Sequence, residues 1–242
     1  MDTAQSPEAL LAALPLQPRQ LLQSLYAREP QLGDDGLPHP IDGTTRIELE
    51  EGLELIELLQ SIGTDAVLEV GMAYGFSSQF LLAGLQRQGG GRLVAIDPYQ
   101  TDDWWGVGRR LAQATVMAAG HDRLRFHCIE ERSDWALLRL ERQGERFGLI
   151  FVDGYHRFDD VLLDVTFAAR LCAPGGVIVL HDQWLPSVRA VVAFLEANRA
   201  DLVRVPCRCR NLAAFACTGL DQRSWDHFVP FATEGEPWPT LP

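Results

Sequence analysis

From residue 66 onward the chain alternates short apolar runs with stretches of helical periodicity, and no other feature constrains its fold as tightly. Residues 66–70, 92–97, 124–129, 147–152 and 177–180 read as strands, and residues 76–86, 107–119, 135–140 and 158–171 as the helices between them. Strands joined through helices run parallel, because each crossover carries the chain back to the end of the sheet where it started. The reading is therefore an α/β sheet covered by helices on both faces. After Pro186 a helix over 188–198 precedes two late strands, 202–206 and 212–217. Their link at 207–211 is too short for a parallel crossover and predicts an antiparallel hairpin.

A chain of 242 residues fits one such core with some decoration. It divides into a helical N-terminal extension or cap (1–62), the α/β core (63–218) and an irregular tail (219–242) with no catalytic role. The first forty residues are interrupted by Pro7, Pro15, Pro18, Pro30, Pro38 and Pro40, which predicts short helices near 7–14 and 18–27 and then a loop through Gly33 and Gly36. Apolar residues recurring from Leu49 to Leu59 predict an amphipathic helix over 47–61 that stops near Gly63. These elements either cap the core or form a homo-oligomer contact.

The balance of 21 basic against 33 acidic side chains gives a formal charge of −12. That charge repels phosphate backbones and anionic bilayers, so neither nucleic acid nor membrane is an expected partner. No apolar run reaches membrane-spanning length and the first residues lack signal-peptide character, which makes the cytoplasm the expected location. Cys128, Cys172, Cys207, Cys209 and Cys217 do not suggest a disulfide framework. Cys207 and Cys209 form half of a zinc motif without its other half, and on a strand both thiols would share one face and simply pack.

The densest signal runs from Glu69 to Ser78, directly after the first core strand and before its helix. Gly71 and Gly75 let the backbone turn tightly and approach a ligand, and Ser77 or Ser78 can cap the helix. Free amides at that helix start suit an anionic group such as an amino-acid carboxylate. Asp97 ends the next strand, where a carboxylate can accept both hydroxyls of a ribose. Residues 129–134 add polar groups at the third strand end. The loop is not the usual dinucleotide G-x-G-x-x-G, because Ala73 stands at the middle glycine and Gly75 follows two residues later.

A second cluster ends the fourth and fifth strands: Asp153, Tyr155 and His156 after the fourth, and His181, Asp182 and Gln183 after the fifth. Ligands of open α/β sheets bind outside these carboxyl ends. Asp153, Asp182 and Gln183 form an oxygen-rich set that suits magnesium, with calcium or manganese able to use the same atoms. His156 is the favoured proton acceptor and His181 the competing one. Tyr155, Trp184 and the aromatic stretch 99–105 offer pocket walls, or else pack between loops.

The Glu69–Ser78 segment resembles the first motif of class I S-adenosylmethionine-dependent methyltransferases, closest to the catechol/caffeoyl-type and macrocin-type O-methyltransferase branch, and the similarity runs from about Ile47 through Phe215. It implies a Rossmann-like three-layer sandwich with a seven-stranded, mostly parallel sheet in the order 3-2-1-4-5-7-6, the last strand antiparallel. It also implies that the cofactor is held by Glu69, Gly71, Ala73, Gly75, Ser77, Asp97 at the ribose, Ser133 at the adenine, and Asp153. Asp153 and Asp182 match the two metal-binding aspartates of the branch, Gln183 stands where asparagine is common, and His156 replaces the lysine base. The expected function is divalent-metal-assisted methylation of a small hydroxylated acceptor, sugar-like, phenolic or another natural product. A metal-independent methyltransferase, an NAD-type oxidoreductase and a noncatalytic adenosine-ligand module are the alternatives.

Overall fold

The computed structural model describes residues 11–232. The core is a seven-stranded sheet in the order β5-β4-β3-β6-β7-β9-β8. Its strands are β3 (Ala66–Val70), β4 (Gly91–Ile96), β5 (Leu124–Ile129), β6 (Phe147–Val152), β7 (Cys172–Leu180), β8 (Leu202–Val205) and β9 (Ala213–Cys217). Counted from β3 this is 3-2-1-4-5-7-6. β3 to β7 pair in parallel, while β9 runs antiparallel to both β7 and β8, as the short link between β8 and β9 requires.

Among the described residues the sheet is joined by the helices α1 (Leu16–Tyr26), α2 (Leu49–Ile62), α3 (Phe76–Arg87), α4 (Val107–Ala119), α5 (Ser133–Arg142), α6 (Phe158–Leu171) and α7 (Pro186–Asn198). Alternate strand residues face opposite layers. Val67, Leu93, Leu149, Phe151 and Val179 pack with Leu22 and Leu25 of α1, Leu55 and Leu59 of α2, Phe80 of α3 and Leu111 of α4. Leu68, Val70, Ile150, Ile178 and Phe215 pack with Leu137 of α5, Val165 of α6 and Val191 of α7. Each fully buried Leu or Phe contributes roughly 1.5–3 kcal/mol, so these two layers hold the sheet from both faces. α1 and α2 share the core of the first layer.

Several elements differ from the sequence reading. The loop expected through Gly33 and Gly36 contains a two-stranded antiparallel ribbon, β1 (Gln31–Leu32) with β2 (Pro38–His39). Its strands are two residues long, too short to leave an alternating pattern. α5 begins at Ser133 rather than 135, and β7 begins at Cys172 rather than 177. Ala173-Pro174-Gly175-Gly176 has turn composition, yet the chain stays beside β6 through a register shift at Phe147/Leu149. Of the helix expected near 7–14, residues 7–10 lie outside the described residues, and residues 11 and 12 are helical. After Cys217 the described residues form no helix or strand, and Asn198 Nδ2 donates to the Val229 carbonyl at 3.0 Å. No helix among the described residues is long and apolar enough to cross a membrane.

Candidate active site

β3, β4, β6 and β7 end side by side, and the loops that leave them build the site. At the end of β3, Gly71 has φ +87°, and a Cβ there would collide with the Asp153 carbonyl. Glycine is therefore required both by the turn and by the contact with β6's exit. Gly75 has φ +84° and is the N-cap of α3. Ala73 has φ +47°, costly for an L-residue, and is held there from both sides: its N–H donates to Asp97 Oδ2 at 2.7 Å and its carbonyl accepts from Gln100 Nε2 at 2.7 Å.

Ser77 and Ser78 do not cap α3, contrary to expectation. Both hydroxyls donate at 2.5 Å to the carboxylate of Glu69, which is wholly buried in β3. An interior carboxylate without donors would be far costlier than an uncapped helix end, so the hydroxyls turn inward. Burial raises the Glu69 carboxyl to about 8, with Ser77 and Ser78 pulling the other way. Asp97 is also buried. Its Oδ2 accepts from Met72 N (3.1 Å), Ala73 N (2.7 Å) and Gln100 Nε2 (3.2 Å), and its Oδ1 from Tyr99 N (2.9 Å). It thereby ties the β3–α3 loop to the end of β4. Ser133 opens α5 and bonds to the buried Asp164 of α6, whose carboxyl burial pushes up to about 7.

The second half of the site gathers Asp153, His156, His181 and Asp182. Asp153 extends β6, its N–H donating to the Val70 carbonyl at 2.8 Å, and Asp182 follows β7 with φ +60°. Such a strained position at a site is held only where neighbours over-determine it. His156 Nε2 lies 3.0 Å from Asp182 Oδ2 and 3.4 Å from Asp153 Oδ1. His181 Nδ1 lies 3.0 Å from Asp153 Oδ1 and 3.3 Å from Asp182 Oδ1. Burial opposes protonation of His156, but the two aspartates outweigh it and raise the imidazole to about 9. The same contest raises His181 well above its ordinary value, through Asp153 and Glu51. Burial would raise Asp182, yet His156 and His181 bring it down to about 2.

Asp153, His181 and Asp182 each offer a ligand atom within 4.8 Å of the others, and no other such group of three His, Cys, Asp or Glu occurs among the described residues. Cys207 and Cys209 therefore stand outside any metal cluster. Gln183 is buried and its Nε2 has no partner. The two histidines differ in access: the His156 side chain is 37% exposed and that of His181 5%.

These residues lie within a segment that relatives share. Residues 68–183 match the family described as a methyltransferase domain. That segment is thus similar to methyltransferase domains. A protein of Mycolicibacterium vanbaalenii provisionally named an O-methyltransferase is 32% identical over 130 residues, 54% of this chain and 52% of its own. A similarly named protein of Mycobacterium avium is 33% identical over 156 residues, 60% of this chain and 64% of its own. The chain thus spans from about half to just under two thirds of the length of the curated relatives it matches. The fold is also that of the O-methyltransferase TomG of Streptomyces achromogenes, involved in tomaymycin synthesis and solved with S-adenosylmethionine (TM-score 0.60, 21% identity, 86% of this chain and 92% of that one). An O-methyltransferase of Bacillus cereus in complex with S-adenosylhomocysteine gives 0.58 at 20% identity, over 84% and 93% of the two chains.

In the aromatic stretch after β4, Trp105 stacks on His39 at 4.6 Å and Trp104 meets the edge of Tyr74 at 5.0 Å, while Tyr99 is exposed. Tyr155 and Trp184 stay exposed beside the acidic cluster, with Trp184 Nε1 donating to Asp182 Oδ1 at 2.8 Å. Two further residues reach the cluster, of which Asn211 escaped the sequence reading of the site. Glu51 reaches it from α2, and Asn211 from the β8–β9 link. Glu51 did leave a signal: with Glu54 it falls at helical spacing beside the apolar residues of α2, where a carboxylate must find a buried partner.

Proposed function

We propose that the protein is an S-adenosylmethionine-dependent O-methyltransferase acting on a small hydroxylated molecule, sugar-like, phenolic or another natural product, assisted by a divalent cation with magnesium favoured. The observation that carries this reading is the contact between Gly71 and Asp153. The backbone of Asp153 fills the space where a Gly71 side chain would be, while its carboxylate belongs to the acid–imidazole cluster. The glycine turn and the cluster are therefore adjacent, as a donor half and an acceptor half must be.

The turn fits a bound S-adenosylmethionine, which supplies the methyl group. Gly71, Ala73 and Gly75 take left-handed conformations that bring the chain round tightly before α3, and Glu69, Ser77 and Asp97 brace that turn; in this reading the cofactor lies along it toward Ser133. The cluster fits a cation: two carboxylates and an imidazole nitrogen converge from adjacent strands, with Gln183 next in sequence. A divalent cation there lowers the pKa of an acceptor hydroxyl and fixes its direction.

His156 is the base in this reading and His181 is not. Both ring nitrogens of His181 face carboxylates, and the ring is enclosed. His156 is more exposed and faces the carboxylates through Nε2 alone, so with a cation held by Asp153 and Asp182 its Nε2 is freed to take the acceptor's proton. The chain contains no lysine at all, so the lysine base of the catechol-type branch has no counterpart. Tyr155 and Trp184 flank the entrance and suit a flat or partly apolar acceptor.

The test is transfer of a radiolabelled methyl group from S-adenosylmethionine to a panel of catechols, phenols and sugars, with magnesium or with EDTA, alongside calorimetric binding of S-adenosylmethionine and NAD. We expect S-adenosylmethionine binding, no NAD binding, and transfer that EDTA abolishes. Binding of NAD alone would overturn the reading, and transfer indifferent to EDTA would remove the cation from it.

A further inference from the structure

The site receives one carboxylate from outside the sheet. Glu51 lies in the first turn of α2, buried, 130 residues from His181 in sequence. Its Oε2 accepts the Glu48 N–H at 2.8 Å and lies 3.0 Å from His181 Nε2. Asn211 Nδ2 is 3.0 Å from the same ring nitrogen and also donates to Glu51. On the other side of the ring, Nδ1 faces Asp153 and Asp182. If Nε2 carried no proton, its lone pair would face a buried carboxylate oxygen. Glu51 therefore calls for Nε2–H; without a cation the two aspartates call for a proton on Nδ1 in the same way, whereas a cation between them takes the Nδ1 lone pair instead.

We propose that Glu51 is a positioning residue: by accepting Nε2–H it fixes the tautomer and plane of His181, so that His181 is the third protein ligand of the cation, through Nδ1. This rests on the cation reading above and adds to it a specific donor set, Asp153, Asp182 and His181, with a support outside the sheet. Metal-bound histidines generally give their second N–H to a carboxylate or carbonyl, which fixes the ring and strengthens the ligand. The support is itself held. Glu54, one turn further along α2, accepts the amides of Arg208 (2.6 Å) and Cys209 (2.8 Å), so α2 is fastened to the link that carries Asn211. The N-terminal helix thus does more than cover the core, because it sets the geometry of the cation site.

Glu51→Gln tests this, since glutamine keeps the shape and an acceptor for Glu48 N–H but removes the charge facing Nε2. Manganese binding would be followed by electron paramagnetic resonance, S-adenosylmethionine binding by calorimetry, and the His181 ring by nitrogen-15 NMR of the full chain. We expect E51Q to melt within a few degrees of wild type, to bind S-adenosylmethionine within about threefold of it, and to bind manganese roughly 10- to 100-fold more weakly. Wild type loaded with magnesium should show His181 as the Nε2–H tautomer. Unchanged manganese affinity in a folded E51Q overturns the role of Glu51 while leaving the cation reading intact. Wild type that binds no manganese overturns the cation reading itself. Should E51Q fail to fold, the wild-type spectrum decides: an Nδ1–H tautomer in the magnesium-loaded protein contradicts the proposal.

Discussion

His156 Nε2 lies 3.0 Å from Asp182 Oδ2, joining the exits of β6 and β7 by an ion pair. The partnership of Asp153 and Asp182 lifts His156 from 6.5 to about 9 against the opposing effect of burial. The folded-state value exceeds the unfolded one, so the stabilisation from this pair is complete below pH 6.5 and disappears as pH rises through about 9. The stability difference between wild type and His156→Gln, from urea unfolding without divalent ions, should therefore be constant between about pH 4 and 6.5 and shrink toward pH 9. Magnesium drawn to the same carboxylates should lower the His156 value, seen by NMR titration, and so bring the base into use nearer neutral pH. A His156 titration indifferent to magnesium would contradict this.

Gly71→Ala should damage both halves of the site at once. A side chain at φ +87° costs about 1–2 kcal/mol, and its Cβ must displace the Asp153 carbonyl. We expect a loss of more than about 2 kcal/mol in urea unfolding and no measurable S-adenosylmethionine binding by calorimetry. Near-normal binding would mean that the turn is not the cofactor cradle.

Asp97→Asn puts an amide where two backbone N–H groups now meet a carboxylate oxygen. Met72 N and Ala73 N would lose their shared acceptor or face a donor, at about 1–3 kcal/mol. Because this bond holds Ala73 in its left-handed conformation, S-adenosylmethionine affinity should fall at least about tenfold. Retained affinity would place the cofactor away from Asp97.

Asp164 offers a stability test away from the reacting atoms. It is buried, one of its carboxylate oxygens has no partner, and its pKa is raised from 3.8 to about 7 by burial. Stability from the protonated carboxyl is complete below pH 3.8 and lost as pH rises through about 7. Asp164→Asn should therefore be close to neutral at pH 4 and stabilising at pH 8.5, by roughly 2–4 kcal/mol. Chemical denaturation at the two pH values gives the comparison, and a destabilised variant at pH 8.5 would show the charge to be compensated.

The core strands were legible because they are buried on both faces. β6 is buried at every residue, and such a strand reads as an unbroken apolar run. The antiparallel ending was legible from the seven residues between β8 and β9. β1 and β2 were not, since two paired residues, one of them Pro38, carry no period. The first part of β7 was hidden by Pro174 and the two glycines after it. In the site, residues at strand ends could be found by position along the chain. Ser77 was misread because its local role as a cap lost to Glu69, eight residues back and buried. Asn211 lies in an irregular link, and its nearness to His181 is a consequence of β9 lying beside β7. Glu51 stands 130 residues from its partner, a distance that no local pattern spans.

The central claim is that one crevice holds the methyl donor at Gly71 and a cation at Asp153. Crystals grown with S-adenosylhomocysteine and manganese, with diffraction recorded at a wavelength where manganese scatters anomalously, test it most directly. The account predicts one strong anomalous peak within about 2.5 Å of Asp153, His181 and Asp182, with the ligand's amino-acid end along Gly71–Gly75 and its sulfur toward His156. A cluster without a peak, or a ligand bound away from the glycine turn, would contradict it.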